Sequence, residues 1–537
     1  MWTSSRRWLL ALSIIFVALL VCKYFWSLFL YPEVPFGYDA GIYRYLFLTH
    51  AKAFPPFVLP SMPEWAKAHP LGLFFFSTLF LKTGVPVDAL IGWMWNLLPV
   101  VLSIVLAWTV SRSFGSVVGT FVLLASVLSV VQYEGFLMMY WKVYVAFLWC
   151  ALAFGFFERH SRWWVVFGML TIATHQQIGL LLGCAILSSI VVSSFHHRSL
   201  RASLVAGLPL LAACILGLLW YLPNHARAIG DVLPLLLRPS VGLGFLAILC
   251  LGTLFIFSII LSPLPRFWMT LIGLLIGFLL LLLPFAGYAP SSLISFLGRG
   301  SEVASGAFLT VGQYMSLSAP LLILGLFGLA LLLKRKRESP WAWAAIWSAL
   351  AIVTMFFFYR RFILPLDFFL LPCVAIALQW LFTHRDWWMK PLAIVLILIQ
   401  GGLLFCRMST IDPHVQAKTL RQFAAFTSVV EPGSSVVVLD NMAPWVVGFL
   451  PEANVGGPGI FESKPQEVWQ RFLFGSHADR EEFFRQYPIG TYFVASDVFR
   501  SYYPPEVQSL LTDSCLTSAG SEGLYRSICG AEATRRP

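Results

Sequence analysis

Residues 8–45 read WLLALSIIFVALLVCKYFWSLFLYPEVPFGYDAGIYRY, an apolar run that ends in an aromatic segment containing one carboxylate, Asp39. About 20 apolar residues are enough to span the hydrocarbon core of a bilayer. The run follows Arg6 and Arg7, has no small-residue cleavage site and is longer than the apolar part of a signal peptide. We therefore predict a retained first membrane helix from Trp8 to Leu30, with Asp39 shortly after its end.

The composition of the whole chain indicates a polytopic membrane protein. Its 537 residues are 59% hydrophobic and 11% charged, with a mean hydropathy of +0.80. Soluble domains carry about 25% charged residues. The net charge of +11 is explained by cationic loops facing an anionic cytoplasmic leaflet. The bilayer is therefore an expected partner, and nucleic acid is not.

The positions of the basic clusters predict the topology, because short loops rich in Lys and Arg collect on the cytoplasmic side. Placing every cluster inside gives about 13 crossings, each needing about 20 residues, with the N-terminus cytoplasmic and the C-terminus extracytoplasmic. Two hairpins follow, 163–195 with an outer apex at Thr174–Gln177, and 341–383 with Arg360 and Arg361 at its apex. Residues 70–82 are too few to cross and are predicted as a half-embedded helix on the outer face. The compact loops favour a bacterial plasma membrane.

The composition changes after Arg407, which predicts two domains. Residues 1–408 form the membrane module, including an outer loop at 31–88, and 409–537 form a small extracytoplasmic α/β domain with strands at SSVVVLD and GTYFVAS. In that second domain Cys515 and Cys529 flank a polar turn. The sequence leaves open whether they form a disulfide, which would place the domain in an oxidising compartment. The fold class is thus a mainly α transmembrane helix bundle with a C-terminal α/β domain.

Ionisable residues near membrane depth are functional candidates, because their burial is costly. Asp39 is the strongest: it either caps a short helix starting at Ala40 or acts as a general base, with aromatic neighbours raising its pKa. The candidates for substrate binding are Arg44, His69, Glu134, His175, Arg299, Arg360 and Arg361.

Each of these candidates has a structural alternative. His69 precedes Pro70 and would anchor the start of the half-embedded helix. His175 would cap or pack the apex of its hairpin. Arg299 would pair with Glu302, and Glu134, in a predicted outer loop at 132–140, would pair with Lys142.

The adjacent arginines Arg360 and Arg361 have two readings as well. They are either interface anchors or a clamp for a phosphate, which a forked and permanently ionised guanidinium suits. Asp367, inside the following crossing, is expected to partner a cation or a backbone group.

The combined pattern resembles the GT-C superfamily of polytopic glycosyltransferases. The residues that carry the resemblance are Asp39 in GYDAGIYRY, His69–Pro70 in AHPLGLFFF, Thr174–His175 in GMLTIATHQQIGLLLG, and Arg360–Arg361 before LPLDFFLLP. It extends over most of residues 1–408. The family often has two neighbouring acids in its first outer loop, whereas here Ala40 follows Asp39.

The resemblance implies an enzyme that transfers a sugar from a polyprenyl-phosphate donor to an acceptor hydroxyl, with inversion, on the extracytoplasmic face. Asp39 would take the acceptor proton, and the arginines would neutralise the leaving lipid phosphate. The acceptor would be a glycan, a lipid or a protein. No cofactor is expected, and nothing in the sequence supports a divalent metal.

Three other functions remain as alternatives. A lipid-linked glycan transporter would be expected to show internal repeats and charges near the midplane, whereas the charges here cluster at one face. A glycan ligase or polymerase would rely on long basic outer loops. The third alternative is a catalytically inactive relative whose soluble domain binds a partner.

Overall fold

The computed structural model describes residues 2–37, 39–53, 62–63, 66, 71–197, 308–353, 358–457 and 464–529. Within these ranges six helices are long and apolar enough to cross a membrane, and a bent helix pair brings the number to seven if it counts as one span. The six are Arg7–Leu30, Val87–Phe114, Gln176–Ser193, Val311–Arg335, Tyr359–Thr383 and Met389–Ser409. The chain is an integral membrane protein. The larger count of about 13 crossings includes residues 198–307, which lie outside the described part, and stays a prediction.

The described residues before 198 form helices joined by short non-helical segments. The helices are α1 (Trp2–Leu30), α2 (Ala40–Lys52), α3 (Leu71–Lys82), α4 (Val87–Gly92), α5 (Leu97–Phe114), α6 (Ser116–Leu128), α7 (Val130–Leu137), α8 (Trp141–Phe157), α9 (Trp163–Thr174) and α10 (Gln176–His197). The first apolar run thus forms one continuous helix, as predicted. The short apolar helix predicted at 70–82 is present as α3.

After residue 307 the membrane helices resume. They are α11 (Val311–Arg335), α12 (Pro340–Val353), α13 (Ile363–Thr383) and α14 (Met389–Ser409). A short 3-10 helix, Tyr359–Phe362, lies between α12 and α13. It contains Arg360 and Arg361, so the predicted position of these arginines at the turn of a helical hairpin is confirmed.

A polar network holds the bent pair α6 and α7, which meet at an angle of 56°. Ser129 caps α7 by accepting a hydrogen bond from the backbone of Gln132. Lys23 of α1 donates to the carbonyls of Ser126 (2.8 Å) and Ser129 (2.7 Å). Asp367 of α13 accepts from the Ser129 hydroxyl at 2.6 Å and from the Gln132 amide at 3.0 Å. The polar groups released by the break are thereby paired inside the protein, as the hydrocarbon core requires.

The predicted outer loop at 132–140 is wrong over residues 132–137. These residues belong to α7, and Glu134 is buried in it. The helix restarts because Ser129 supplies the cap, and the carboxylate is tolerated there because Arg407, at the end of α14, forms an ion pair with it.

The C-terminal part forms a five-stranded mixed sheet with helices. The helices are α15 (Ala417–Phe426), α16 (Ala443–Phe449), α17 (Gln466–Phe474), α18 (His477–Phe484), α19 (Asp497–Tyr502) and α20 (Pro505–Gln508). The strands are β1 (Ser435–Val438), β2 (Asn454–Gly456), β3 (Tyr492–Val494), β4 (Leu516–Ser518) and β5 (Leu524–Ser527), in the order β2-β1-β3-β5-β4. Strand β1 pairs in parallel with β2 and with β3. Strand β5 pairs antiparallel with β3 and with β4. The predicted strands at SSVVVLD and GTYFVAS are present as β1 and β3.

Cys515 and Cys529 form a disulfide. Cys515 is buried in a core cluster that includes the aromatic residues Phe472, Phe484 and Phe493. The alternative that the sequence left open is therefore settled in favour of the bond.

The described residues divide into two compact units. Unit 1 comprises residues 1–26, 68–73 and 96–411, and unit 2 comprises 27–67, 74–95 and 412–537. Unit 2 combines the C-terminal sheet with the segment that follows α1, including α2 and α4. The domain division at residue 408 remains a prediction.

Replacing Gly328 by valine is expected to destabilise unit 1. Gly328 of α11 lies so close to the Cys373 carbonyl of α13 that any Cβ there would overlap it. Overpacking of this kind costs about 1–3 kcal/mol or more. Gly402 on α14 has no atom within 4 Å of a Cβ position, so Gly402→Val is the matched control. Thermal unfolding of the purified variants measures the difference, and equal melting temperatures would contradict the predicted close helix contact.

Candidate active site

His175 occupies the single extended residue between α9 and α10. Its φ of −154° and ψ of 122° end one helix, and the next begins at Gln176. A Cβ on Gly179 would lie 2.9 Å from the Ile172 Cα, so the two helices pack closely beside this turn. The start of α3 packs at the same place, since a Cβ on Gly72 would lie 2.8 Å from the Thr174 Cα. The predicted break at Thr174–Gln177 is confirmed.

Two cations act on the His175 ring. Lys142, in the first turn of α8, and Arg361, in the 3-10 helix before α13, both influence it electrostatically. All three side chains are half-buried. We call His175, Lys142 and Arg361 the cationic cluster. Three elements distant in sequence thus bring basic groups to one place in unit 1.

The cationic cluster contains buried polar atoms without a partner among the described residues. They are Nδ1 of His175 and Nε of Arg361. Buried donors and acceptors are nearly always paired in folded proteins, and leaving one unpaired costs about 1–3 kcal/mol. Two such atoms beside concentrated positive charge fit a site that takes an anionic ligand.

The adjacent arginines differ in what they contact. Arg360 donates from Nε to the Leu309 carbonyl at 3.3 Å and from Nη2 to the Phe308 carbonyl. Its guanidinium thereby ties the segment before α11 to the 3-10 helix. Arg361 instead lies over the Phe358 ring, 4.7 Å from its centroid. Of the two, Arg361 is the one that donates to no backbone carbonyl among the described residues.

The backbone near the cationic cluster adopts conformations that side chains disfavour. Met139, three residues before Lys142, has a φ of 58°, and Phe358, three residues before Arg361, has a φ of 55°. Bulky residues seldom occupy this left-handed region, and such strain concentrates at functional sites. The left-handed backbone at these two residues therefore supports a functional site at the cationic cluster.

Glu134 does not join this cluster as a free acid. Both of its oxygens receive hydrogen bonds from Arg407, one at 3.1 Å. Its ion-pair partner is thus Arg407 and not Lys142. The pairing was not predicted, because Arg407 was taken only as the boundary of the membrane module.

Asp39 lies in unit 2, directly before α2. The helix begins at Ala40 as predicted, and the Asp39 carbonyl accepts from the Tyr43 backbone at 2.9 Å. The Asp39 side chain, however, makes no capping hydrogen bond. The capping alternative therefore does not account for the carboxylate.

Arg44 is bound within unit 2. It donates to Asp88 at 2.9 Å and to the Gly448 carbonyl, and it lies 5.0 Å from the centre of the Phe449 ring. The guanidinium therefore links α2 to α4 and α16. Its role in substrate binding stays a prediction.

Two predicted site residues, His69 and Arg299, lie outside the described residues. Among the residues that are described, no three His, Cys, Asp or Glu side chains come together as a metal site. Lys23 was missed by the sequence analysis, since a single lysine within a long apolar helix leaves the helix prediction unchanged. The partners of Asp367 are side chains, Ser129 and Gln132, with Lys23 acting on it electrostatically.

Comparison with known proteins identifies the fold. No protein family and no curated protein matches the sequence. Among solved structures, the archaeal oligosaccharyltransferase AglB from Archaeoglobus fulgidus, in complex with an inhibitory peptide and a dolichol-phosphate, matches with a TM-score of 0.59 at 13% identity over 91% of this chain and 70% of that chain. The same enzyme tethered to an acceptor peptide containing the NVT sequon matches with a TM-score of 0.56 at 12% identity, over 91% and 69%.

A third structure, ArnT from Cupriavidus metallidurans in the apo state, has a TM-score of 0.45 at 14% identity and 98% coverage of both chains. The similarity to the oligosaccharyltransferase concerns the fold, which agrees with the resemblance seen in the sequence. The fold of this chain is therefore similar to that of a GT-C membrane glycosyltransferase.

Proposed function

We propose that the protein is a membrane glycosyltransferase that moves a sugar from a polyprenyl-phosphate donor to an acceptor hydroxyl. The observation that carries this proposal is the cationic cluster with its two unpartnered buried atoms. A lipid phosphate is the leaving group of such a reaction, and its negative charge grows as the glycosidic bond breaks. Fixed cations at that position stabilise the transition state more than the ground state.

Within this proposal, Arg361 is the principal phosphate ligand. A guanidinium stays ionised and can donate two parallel hydrogen bonds to phosphate oxygens. Lys142 adds a second positive charge, and His175 adds a ring nitrogen that lacks a partner among the described residues. The solved oligosaccharyltransferase contains a dolichol-phosphate, which is consistent with a lipid phosphate as the ligand of this fold.

Asp39 is proposed as the general base. Its carboxylate would take the proton from the acceptor hydroxyl as that oxygen attacks the anomeric carbon, while the bond to the lipid phosphate breaks on the opposite side. A single displacement of this kind inverts the anomeric configuration.

The reaction is proposed to occur on the extracytoplasmic face of a bacterial plasma membrane. Disulfides persist in oxidising compartments, so the bond between Cys515 and Cys529 supports an extracytoplasmic C-terminal domain at 409–537. With the N-terminus cytoplasmic, this orientation needs an odd number of crossings, in keeping with the predicted topology.

Exchanging each arginine for glutamine tests the phosphate site. Arg361→Gln should lower the turnover of folded protein about 10²–10³-fold, the usual cost of removing one donor to a developing oxyanion. Arg360→Gln should instead lower stability, because it removes hydrogen bonds to the Phe308 and Leu309 carbonyls, and leave most of the turnover per folded molecule. The measurement is release of polyprenyl phosphate from a radiolabelled polyprenyl-phosphate sugar by purified protein.

The Arg360 variant serves as the matched control, since both substitutions remove one guanidinium from the same short helix. Equal turnover per folded molecule in the two variants would contradict the assignment of Arg361. Wild-type protein that releases no polyprenyl phosphate from any tested donor sugar would contradict the proposed function itself.

A further inference from the structure

A cavity of about 370 Å³ lies within unit 2, inside the roughly 300–1,000 Å³ range of small-molecule sites. Its walls come from the end of α1, the segment after it, and the helices α2, α4, α15 and α16. Leu28, in the last turn of the membrane-spanning helix α1, is one of its lining residues. The cavity therefore begins at the last turn of a helix that is long and apolar enough to cross a membrane.

Close backbone contact shapes the floor of this cavity. A Cβ on Gly448 of α16 would lie 2.6 Å from the Gly41 Cα of α2, so only glycines permit the two helices to approach this closely. Trp445 and Phe449 of α16 both line the cavity next to this contact. Its interior is thus aromatic and apolar.

The charges around the cavity balance. Arg44 is paired with Asp88 at 2.9 Å. Glu33 and Arg421 also line the cavity, are exposed, and make no hydrogen bond or ion pair with any described residue. Two positive and two negative groups around the first cavity, with Asp412 in the adjoining cavity, leave no excess of positive charge and favour a neutral ligand with many hydroxyls over a phosphate.

One buried donor at the cavity has no partner. Trp445 is 1% exposed, and its Nε1 makes no hydrogen bond in the described structure. A buried indole N–H usually finds an acceptor. That nitrogen is closed off from the cavity as well, so the aromatic surface offered to a sugar ring comes from the half-buried Phe449.

An extended peptide fits this cavity less well. Peptides that bind in extended form usually add a strand to a sheet edge, and the edge strands here are β2 and β4. Neither strand contributes a residue to the cavity. Apart from the short segment 32–35, its lining is helical and presents no strand edge with the row of backbone donors and acceptors that a peptide needs.

A second cavity, of about 650 Å³, adjoins the first. The two share Pro32, Glu33, Val34 and Ala417, and the second also includes Leu30, Tyr31, Asp412 and Gln416. Together they extend from the end of α1 along α15. The combined space accommodates more than one sugar ring.

We propose that this pair of cavities binds the neutral saccharide of a membrane-anchored glycolipid, which serves as the acceptor. The assignment as acceptor rests on the proposed function, whereas the binding itself does not. The lipid anchor extends from the end of α1, Phe449 and the apolar lining receive the first sugar ring, and Glu33 and Arg421 bond to hydroxyls at the rim.

The test uses full-length protein in nanodiscs and amphiphiles below their micelle concentration. Octyl β-D-glucoside and octyl β-D-maltoside are the probes, and octylphosphocholine controls for the alkyl chain. Hydrogen–deuterium exchange should show protection of residues 28–35 and 417–424 by at least one glycoside and not by octylphosphocholine.

A pair of neighbouring alanines on α15 provides matched variants. Ala424 lines the first cavity and Ala425 does not, yet both are exposed. Ala424→Trp should fill the cavity and weaken glycoside binding at least tenfold, and Ala425→Trp should leave it unchanged. Binding unchanged by Ala424→Trp, equal protection by octylphosphocholine, or no binding of either glycoside would each overturn the proposal.

The outcome is separable from that of the proposed function. If Ala424→Trp loses glycoside binding but Arg361→Gln retains full turnover, the cavity is a glycolipid site and the phosphate site is wrong. If Ala424→Trp retains glycoside binding but Arg361→Gln loses turnover, the proposed acceptor site is wrong and the proposed transferase activity stands.

Discussion

Asp39→Asn is expected to reduce sugar transfer about 10²–10⁴-fold, the usual contribution of a general base, while the protein folds normally. Folding should survive because asparagine is as good as aspartate at a helix N-cap, and the Asp39 side chain makes no capping bond to lose. Transfer should fail because an amide cannot accept the proton of the attacking hydroxyl. The measurement is product formation from a polyprenyl-phosphate sugar, normalised to folded protein.

Glu467→Gln is the matched control for this experiment. Glu467 is an exposed acid in the first turn of α17, also in unit 2, so its loss removes one carboxylate near a helix start without touching Asp39. Transfer by Asp39→Asn within a few-fold of wild type would rule out Asp39 as the base. Comparable losses in both variants would point to a general electrostatic effect.

Lys23→Ala is expected to cost the protein several kcal/mol of stability and to lower its yield of folded material. Lys23 is 2% exposed, and its ammonium donates to two carbonyls at the break between α6 and α7. Removing it leaves those two carbonyls without their donor and takes away the cation that acts electrostatically on Asp367. Leaving a buried acceptor unpaired typically costs about 1–3 kcal/mol, and two such carbonyls are affected here. Thermal unfolding in detergent measures the loss.

A second substitution tests the cause of this loss. Lys23→Ala combined with Asp367→Asn should recover part of the stability, because no uncompensated charge then remains in the membrane. Lys390, which is exposed, provides the control Lys390→Ala, with an expected change within about 0.5 kcal/mol. A melting temperature for Lys23→Ala equal to that of the control would show that the network does not hold the bent helices.

Much of the helical framework could be predicted from the sequence, because apolar length and basic loops are local signals. The helix ending at Leu30, the break at His175 and the turn holding Arg360 and Arg361 follow from them. The resemblance of short motifs to the GT-C superfamily, confirmed as a similarity of fold, depended on the order of these same features.

The pairing of buried charges could not be predicted in the same way. Lys23 and Asp367 are 344 positions apart in the printed sequence, and no local pattern connects them. Glu134 was assigned to a loop because a carboxylate usually ends an apolar run. It lies in a helix because Arg407, from a helix far along the chain, neutralises it. Long-range partners of this kind become visible only in three dimensions.

The sequence selected individual residues of the candidate site but did not group them, because the grouping depends on contacts between distant segments. His175 and Arg361 were both chosen from the sequence, and the electrostatic influence of Arg361 on His175 supports grouping them. The distinction between Arg360 and Arg361 had no signal in the sequence, since it depends on the carbonyls of Phe308 and Leu309.

The alternative functions have separate experimental signatures. A transporter would move lipid-linked glycans across proteoliposomes without an acceptor and without releasing polyprenyl phosphate. A glycan ligase would consume a diphosphate-linked oligosaccharide and ignore a monophosphate-linked sugar. An inactive relative would bind a ligand and turn over neither substrate.

The most direct test of the phosphate site is photocrosslinking with a polyprenyl phosphate that carries a photoreactive group next to the phosphate. Peptide mapping by mass spectrometry should locate the adducts at residues 139–142, 174–176 and 358–361, around the cationic cluster, and excess unlabelled polyprenyl phosphate should suppress them. Adducts confined to other segments, or adducts at these positions that persist undiminished in Arg361→Gln, would contradict the account.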